Sequence, residues 1–197
     1  MGLSISKLLY FPTGQARDLK ILLVGMGQAG QSSVLHYLKH GSVLRKPTST
    51  VGLAVESLRY SNLNLTVWDL SGRLATTPLW GHHADNSQAV ILVLDATEPE
   101  MVVKAREDLK RLLLAMESAP GARKDAPLLV YSNKHDAYSA LPTDDIERFL
   151  QLESVNERPW HIQESIAAGG VGVKEGFDWL VTQLEPKQAT VLNEITQ

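Results

Sequence analysis

Cysteine is absent from the 197 residues, which excludes disulfides, thiolate metal sites and a cysteine nucleophile together and suits a reducing compartment. Positive charge is not in excess either. Nineteen Lys and Arg stand against 22 Asp and Glu, a formal net charge of -3 with a pI of about 6.1, so no basic field argues for nucleic acid. Long apolar runs are missing too: the longest, such as residues 89–94, are strand-sized and far short of the roughly 20 residues of a membrane span. A secretory leader is not expected, because Lys7 is followed by only a few apolar residues before Pro12. What is present, 44% hydrophobic and 21% charged residues in 21.7 kDa, suits one globular domain able to bury an α/β core.

One further absence falls inside a motif. Lys20-Ile21-Leu22-Leu23-Val24-Gly25-Met26-Gly27-Gln28-Ala29-Gly30-Gln31-Ser32-Ser33 runs from a buried strand at residues 21–24 through a glycine-rich loop. Polar Ser32 and Ser33 then open an amphipathic helix. The phosphate-loop pattern GxxxxGK[ST] needs glycines that let backbone N–H groups wrap the phosphates, a lysine for the β and γ phosphates, and a hydroxyl on Mg²⁺. Gly25, Gly30 and Ser32 fit, but Gln31 stands where the lysine belongs. Taken alone, so degenerate a motif reads equally as a strand-to-helix turn with no ligand.

Ahead of it, Met1-Gly2-Leu3-Ser4-Ile5-Ser6 fits the N-myristoylation pattern, with Gly2 as the acceptor. Leu3, Ile5, Leu8, Leu9 and Phe11 read as a short interfacial helix or as a terminus packed on the core. One acyl chain gives an association constant of only about 10⁴ M⁻¹, so membrane residence needs this second contact. Beyond the loop, Val34, Leu35, Leu38 and Leu44 keep helical spacing, and Gly41 stops the helix. Residues 51–59 and 63–68, joined by Ser61 and Asn62, predict an antiparallel hairpin. Residues 89–94 read as a core strand and 101–116 as an amphipathic helix. Residues 118–125 read as a peripheral loop, 128–132 and 160–163 as strands, and 176–180 as part of a terminal helix.

This order predicts an α/β fold: a six-stranded, mostly parallel sheet with one antiparallel strand and helices on both faces. Three segments are expected: a 1–17 amphipathic and lipidation segment, an 18–185 domain, and a polar 186–197 tail.

Two more stretches give the phosphate loop a context. Asp69-Leu70-Ser71-Gly72 ends the hairpin, where the aspartate would hold Mg²⁺ through water and the Gly72 N–H would meet a γ-phosphate. Asn133-Lys134-His135-Asp136 follows a buried strand at its carboxyl end, where ligands bind in parallel sheets. A carboxylate such as Asp136 accepts two hydrogen bonds from the N1–H and N2 amino group of guanine, and adenine offers no such donor pair.

Together these residues resemble the Arf-like branch of the Ras-type small GTPases over nearly the whole chain. The lipidation start, Gly25 to Ser32, Ser49-Thr50-Val51-Gly52, Trp68-Asp69-Leu70-Ser71-Gly72, Asn133-Lys134-His135-Asp136 and Gly176-Phe177-Asp178-Trp179-Leu180 fall in Arf order. Leu79-Trp80, His82, Met101-Val102-Val103 and Pro159-Trp160-His161-Ile162 look like the ciliary, BBSome-recruiting branch of that family. The resemblance implies a GTP/GDP and Mg²⁺ site. Gly25, Gly27, Gln28, Ala29, Gly30, Gln31, Ser32, Ser33 and Gly72 would hold phosphate. Asn133, Lys134, Asp136 and the Ala167 N–H would hold guanine. Ser32, Thr50 and, through water, Asp69 would serve the metal. It also implies an exchange factor, a membrane reached through Gly2 and the N-terminal helix, and a coat or cargo adaptor on Leu53, Trp68, Leu79, Trp80 and His82. The expected place is the cytoplasm, reversibly on membranes, at a ciliary or flagellar base.

Two departures bear on catalysis. Gln31 keeps reach and a donor but removes a full charge from the phosphates; charge-assisted hydrogen bonds are worth roughly 1.5–3 kcal/mol. Arg73 occupies the position of the family's water-orienting glutamine, and a guanidinium has donors only. It reads either as a solvated side chain or as a cation reaching back to the γ-phosphate. Both give very slow hydrolysis. The alternative is a pseudo-GTPase, an interaction module with little or no nucleotide binding.

Overall fold

The computed structural model describes residues 17–45, 53–61, 63–70 and 83–185. Gly2, Thr50, Gly72, Arg73, Leu79, Trp80, His82 and the 186–197 tail lie outside the described residues.

Chain order is β1 (Arg17–Gly25), α1 (Gln31–His40), β2 (Leu53–Tyr60), β3 (Leu63–Leu70), β4 (Ser87–Asp95), α2 (Pro99–Ser118), β5 (Leu128–Asn133) and α3 (Thr143–Leu150). A 3₁₀ turn (Leu152–Ser154), β6 (Trp160–Ser165) and α4 (Val173–Leu184) complete it. The six strands form one sheet in the order β2-β3-β1-β4-β5-β6. Only β2 runs antiparallel to its neighbour; the other pairings are parallel. The expected architecture is therefore the observed one.

The central strands are apolar throughout because helices cover both faces of the sheet, so neither set of alternating side chains meets water. On one face Leu22, Val24, Leu92, Leu94 and Val130 pack with Leu109 and Leu112 of α2 and Ile146 and Leu150 of α3. On the other, Ile21, Leu23, Ile91 and Tyr131 pack with Val34 of α1 and Phe177 and Leu180 of α4. After β1 the chain passes to the β3 side and returns to add β4 on the other. The strand order thus reverses at β1, and the crevice beyond its carboxyl end is where such sheets bind ligands.

The structure bounds one helix and anchors one loop. Thr143–Leu150 forms α3, a helix that the alternation of strands and helices implies after β5 but to which the sequence assigns no range. The 118–125 loop lies at the surface as expected but is anchored: the Asn86 N–H donates to Pro120 O, and the Arg123 N–H to Ser87 O. The Arg123 guanidinium also donates to Gln183 O at the end of α4.

Candidate functional site

Gly25, Asp69, Asp95, Asn133 and Ser165 stand at or next to the carboxyl ends of β1, β3, β4, β5 and β6, so parallel pairing gathers them at one rim. In register, Asp95 pairs with Asn133 and Asn133 with Ser165.

The glycine-rich loop turns through Gly27 (φ 57°) and Gly30 (φ 106°), a region costly to any residue with a Cβ. The Gly30 carbonyl accepts the Ser33 and Val34 N–H groups, both at 3.0 Å, and so starts α1. Gly27 and Gln28 are exposed and Ala29 is buried. Gln31 does not reach out of the loop. It is 6% exposed, and a Cβ placed on Gly25 would lie 2.5 Å from its Nε2 and 2.6 Å from its Cδ. The carboxamide therefore lies across the Gly25 α-carbon. Ser32 and Ser33, half-buried, occupy the first turn of α1.

Asp69 is 1% exposed, and its Oδ1 has no hydrogen-bond partner among the described residues. Burial pushes its carboxyl up to about 6. An orphaned buried carboxylate is costly without a partner, and the water shell of a divalent cation supplies one. The residues present thus fit Mg²⁺, with Asp69 through water and the Ser32 hydroxyl as its described holders.

Asn133 is the knot of the base-side residues. Its Nδ2 donates to Ala29 O at 2.6 Å, while its Oδ1 accepts from the Ala167 N–H at 2.9 Å and from Ser165 Oγ at 3.2 Å. One side chain thereby joins the phosphate loop to the loop after β6. Lys134, with a left-handed φ of 61°, donates from Nζ to Asp95 Oδ2 at 2.5 Å. Asp95 also accepts from the Thr97 N–H and Oγ1. Burial would raise the Asp95 carboxyl, but Lys134 and Thr97 outweigh it and hold it below the usual value. Asp136 is exposed, and its carboxylate has no hydrogen bond or ion pair among the described residues.

Trp68 is partly buried against the α2-side core. The Lys20 ammonium stands 4.0 Å from its ring centroid and donates to Asp85 O. Leu53 begins β2.

The structure therefore brings together Gly25, Gly27, Gln28, Ala29, Gly30, Gln31, Ser32, Ser33, Asp69, Asn133, Lys134, Asp136 and Ala167. Sequence reasoning missed Asp95 and Ser165, which hold Lys134 and Asn133. Asp95-Ala96-Thr97 after a strand carries the Asx-turn signature that points to the first of them.

The model of the ADP-ribosylation factor family matches residues 5–184. The chain belongs to the ADP-ribosylation factor family. Among solved structures, this Arf-family chain is similar to the Arl6 BBS3 small GTPase from Trypanosoma brucei with bound nucleotide analogue GppNp. Identity is 26%, the match covers 84% of this chain and 96% of that one, and the TM-score is 0.70. The likeness sets this Arf-like member of the Ras superfamily near the Arl6 branch.

Proposed function

We propose that this Arf-family chain is a guanine-nucleotide switch with slow intrinsic hydrolysis, which docks on membranes in its GTP form and presents a surface to a coat or cargo adaptor. The observation that carries the reading is the preset base side. Asn133 is already tied to Ala29 and Ala167, and Asp136, three residues on, is exposed and without a partner among the described residues, the arrangement that a purine with an N1–H and an amino group would complete. The nucleotide analogue held by the Arl6 neighbour supports it.

Each residue has a part. Backbone N–H groups of the 25–33 loop receive phosphate oxygens. Asp136 selects guanine, and the Ala167 N–H, which donates to Asn133 Oδ1 in this structure, would share or exchange that bond for the base oxygen. Lys134, held by Asp95, lies along the base. Asp69 and Ser32, with Thr50, hold Mg²⁺, which when bound neutralises charge on the phosphates. Arg73 has no lone pair to orient an attacking water, so hydrolysis stays slow. Gly2 acylation with the N-terminal helix gives membrane residence. Leu53, Trp68, Leu79, Trp80 and His82 form the adaptor surface, and a ciliary or flagellar base is the proposed place. Calorimetry with GTP, GDP and ATP at millimolar Mg²⁺ tests the reading: guanine nucleotides bind and ATP does not. Absence of GTP binding overturns it.

One observation favours a second reading, a pseudo-GTPase interaction module. Gln31 is folded over Gly25 rather than turned toward a ligand. Nucleotide released on denaturing freshly purified protein decides between the two, since a module of that kind releases none.

A further inference from the structure

A second recess opens at the other end of the sheet, where β5 and β6 begin. The C-terminal half of α2 and residues 150–158 enclose about 360 Å³, within the range of ligand-sized clefts. Leu109 and Leu113 supply an apolar lining, and Leu114, 53% exposed, continues it outward.

Against this apolar lining stands a guanidinium with too few partners. The Arg158 side chain is 3% exposed, and its one ion pair among the described residues, to Glu117, is long at 3.6 Å. Its Nη1 is buried with no hydrogen-bond partner among the described residues. A guanidinium carries five donors, and burying such a group is costly until they are met. Arg106 and Lys110, one helical turn apart on α2, add two cations to the lining, and Lys110 has no ion pair among the described residues. The lining sets Arg106, Lys110 and Arg158 against Glu117 and Glu157. Arg106 is also paired with Glu107 on its own helix and Asp125 acts on Arg158, so Lys110 and the Arg158 Nη1 are the cationic donors left without a partner among the described residues.

An aliphatic lining, a buried under-partnered guanidinium and two cations spaced along a helix match one chemistry: a helix with leucine-like residues on one face and carboxylates beside them. We propose that this recess docks an acidic amphipathic helical segment of a partner protein, one carboxylate meeting Arg158 and the aliphatic side chains lying on Leu109, Leu113 and Leu114. The surface lies at the opposite end of the sheet from the candidate nucleotide site and does not depend on it.

The test uses the full chain and a fluorescein-labelled Leu/Glu helix of about 14 residues, long enough to hold helical structure. A Leu/Lys helix of the same length and phosphatidylserine vesicles run beside it. Anisotropy should report binding of the acidic helix alone, the Arg158 Nε resonance should move on titration, and the double variant R106E/K110E and the single variant L114E should each weaken binding roughly tenfold or more. Nucleotide content of these variants should equal that of the parent. The proposal is overturned by no binding of the acidic helix, by equal affinity in R106E/K110E, by an unmoved Arg158 resonance, or by binding to the vesicles instead.

Discussion

Asn133 donates from one end of its carboxamide and accepts at the other, so all of its described hydrogen bonds go to protein: Ala29, Ser165 and Ala167. Truncation leaves those groups unsatisfied in a buried place, each at about 1–3 kcal/mol. Asn133→Ala should therefore destabilise the nucleotide-free protein by about 2–4 kcal/mol in urea denaturation, as well as abolishing GTP binding. Gln31 is a separable case. A lysine there restores the charge that the phosphates lack, so Gln31→Lys should raise GTP affinity by about 10- to 100-fold in calorimetry, whereas an interaction module would show no gain. Asp95 makes a pH prediction. Its folded-state carboxyl is held below the ordinary 3.8, so it adds stability in full above that value and loses it as the pH falls through the depressed one. Asp95→Asn should flatten the acid limb of a stability profile taken between about pH 2 and 5.

Among the elements, the two glycines that bound α1 and α4 separate conformational strain from steric overlap. Gly41, the C-cap of α1, has φ 63° and donates its N–H to Tyr37 O, with open space where a Cβ would go. Gly172, at the N-cap of α4, has φ 74°, and a Cβ there would overlap the Glu164 carbonyl. Gly41→Ala should cost about 1 kcal/mol, the left-handed strain alone. Gly172→Ala should cost about 3 kcal/mol, because backbone must also move; urea midpoints of the two variants compare them directly. Legibility in the sequence also varied by element. Apolar runs marked β1, β4 and β5 because both faces of those strands are buried, and Gly41 marked a helix end by its backbone freedom. Helix α3 could be placed only by the alternation of strands and helices, without bounds, because it buries only Ile146 and Leu150, one turn apart and too few to show a period. The anchoring of the 118–125 loop was not legible because its partners are backbone carbonyls at Ser87 and Gln183, which no residue pattern announces.

At the scale of the molecule, the sheet divides the interior into two cores, and β2, at one edge, has β3 as its one strand partner in the sheet. Opening free energies should follow that arrangement. Amide exchange should be slowest in β1, β4 and β5 and fastest in β2, where Val55 is 49% exposed; protection of β2 equal to that of β4 would contradict it. The motif order that marked the family was readable along the chain, since each motif is local. The closure of the site was not, because Ala29 and Asn133 are far apart in sequence, and only the parallel strand order sets them side by side. That closure has a mechanical result. With one amide stitched to both loops, neither wall of the cleft can loosen while the other stays shut, so an emptied molecule should gape and reseal in a single motion.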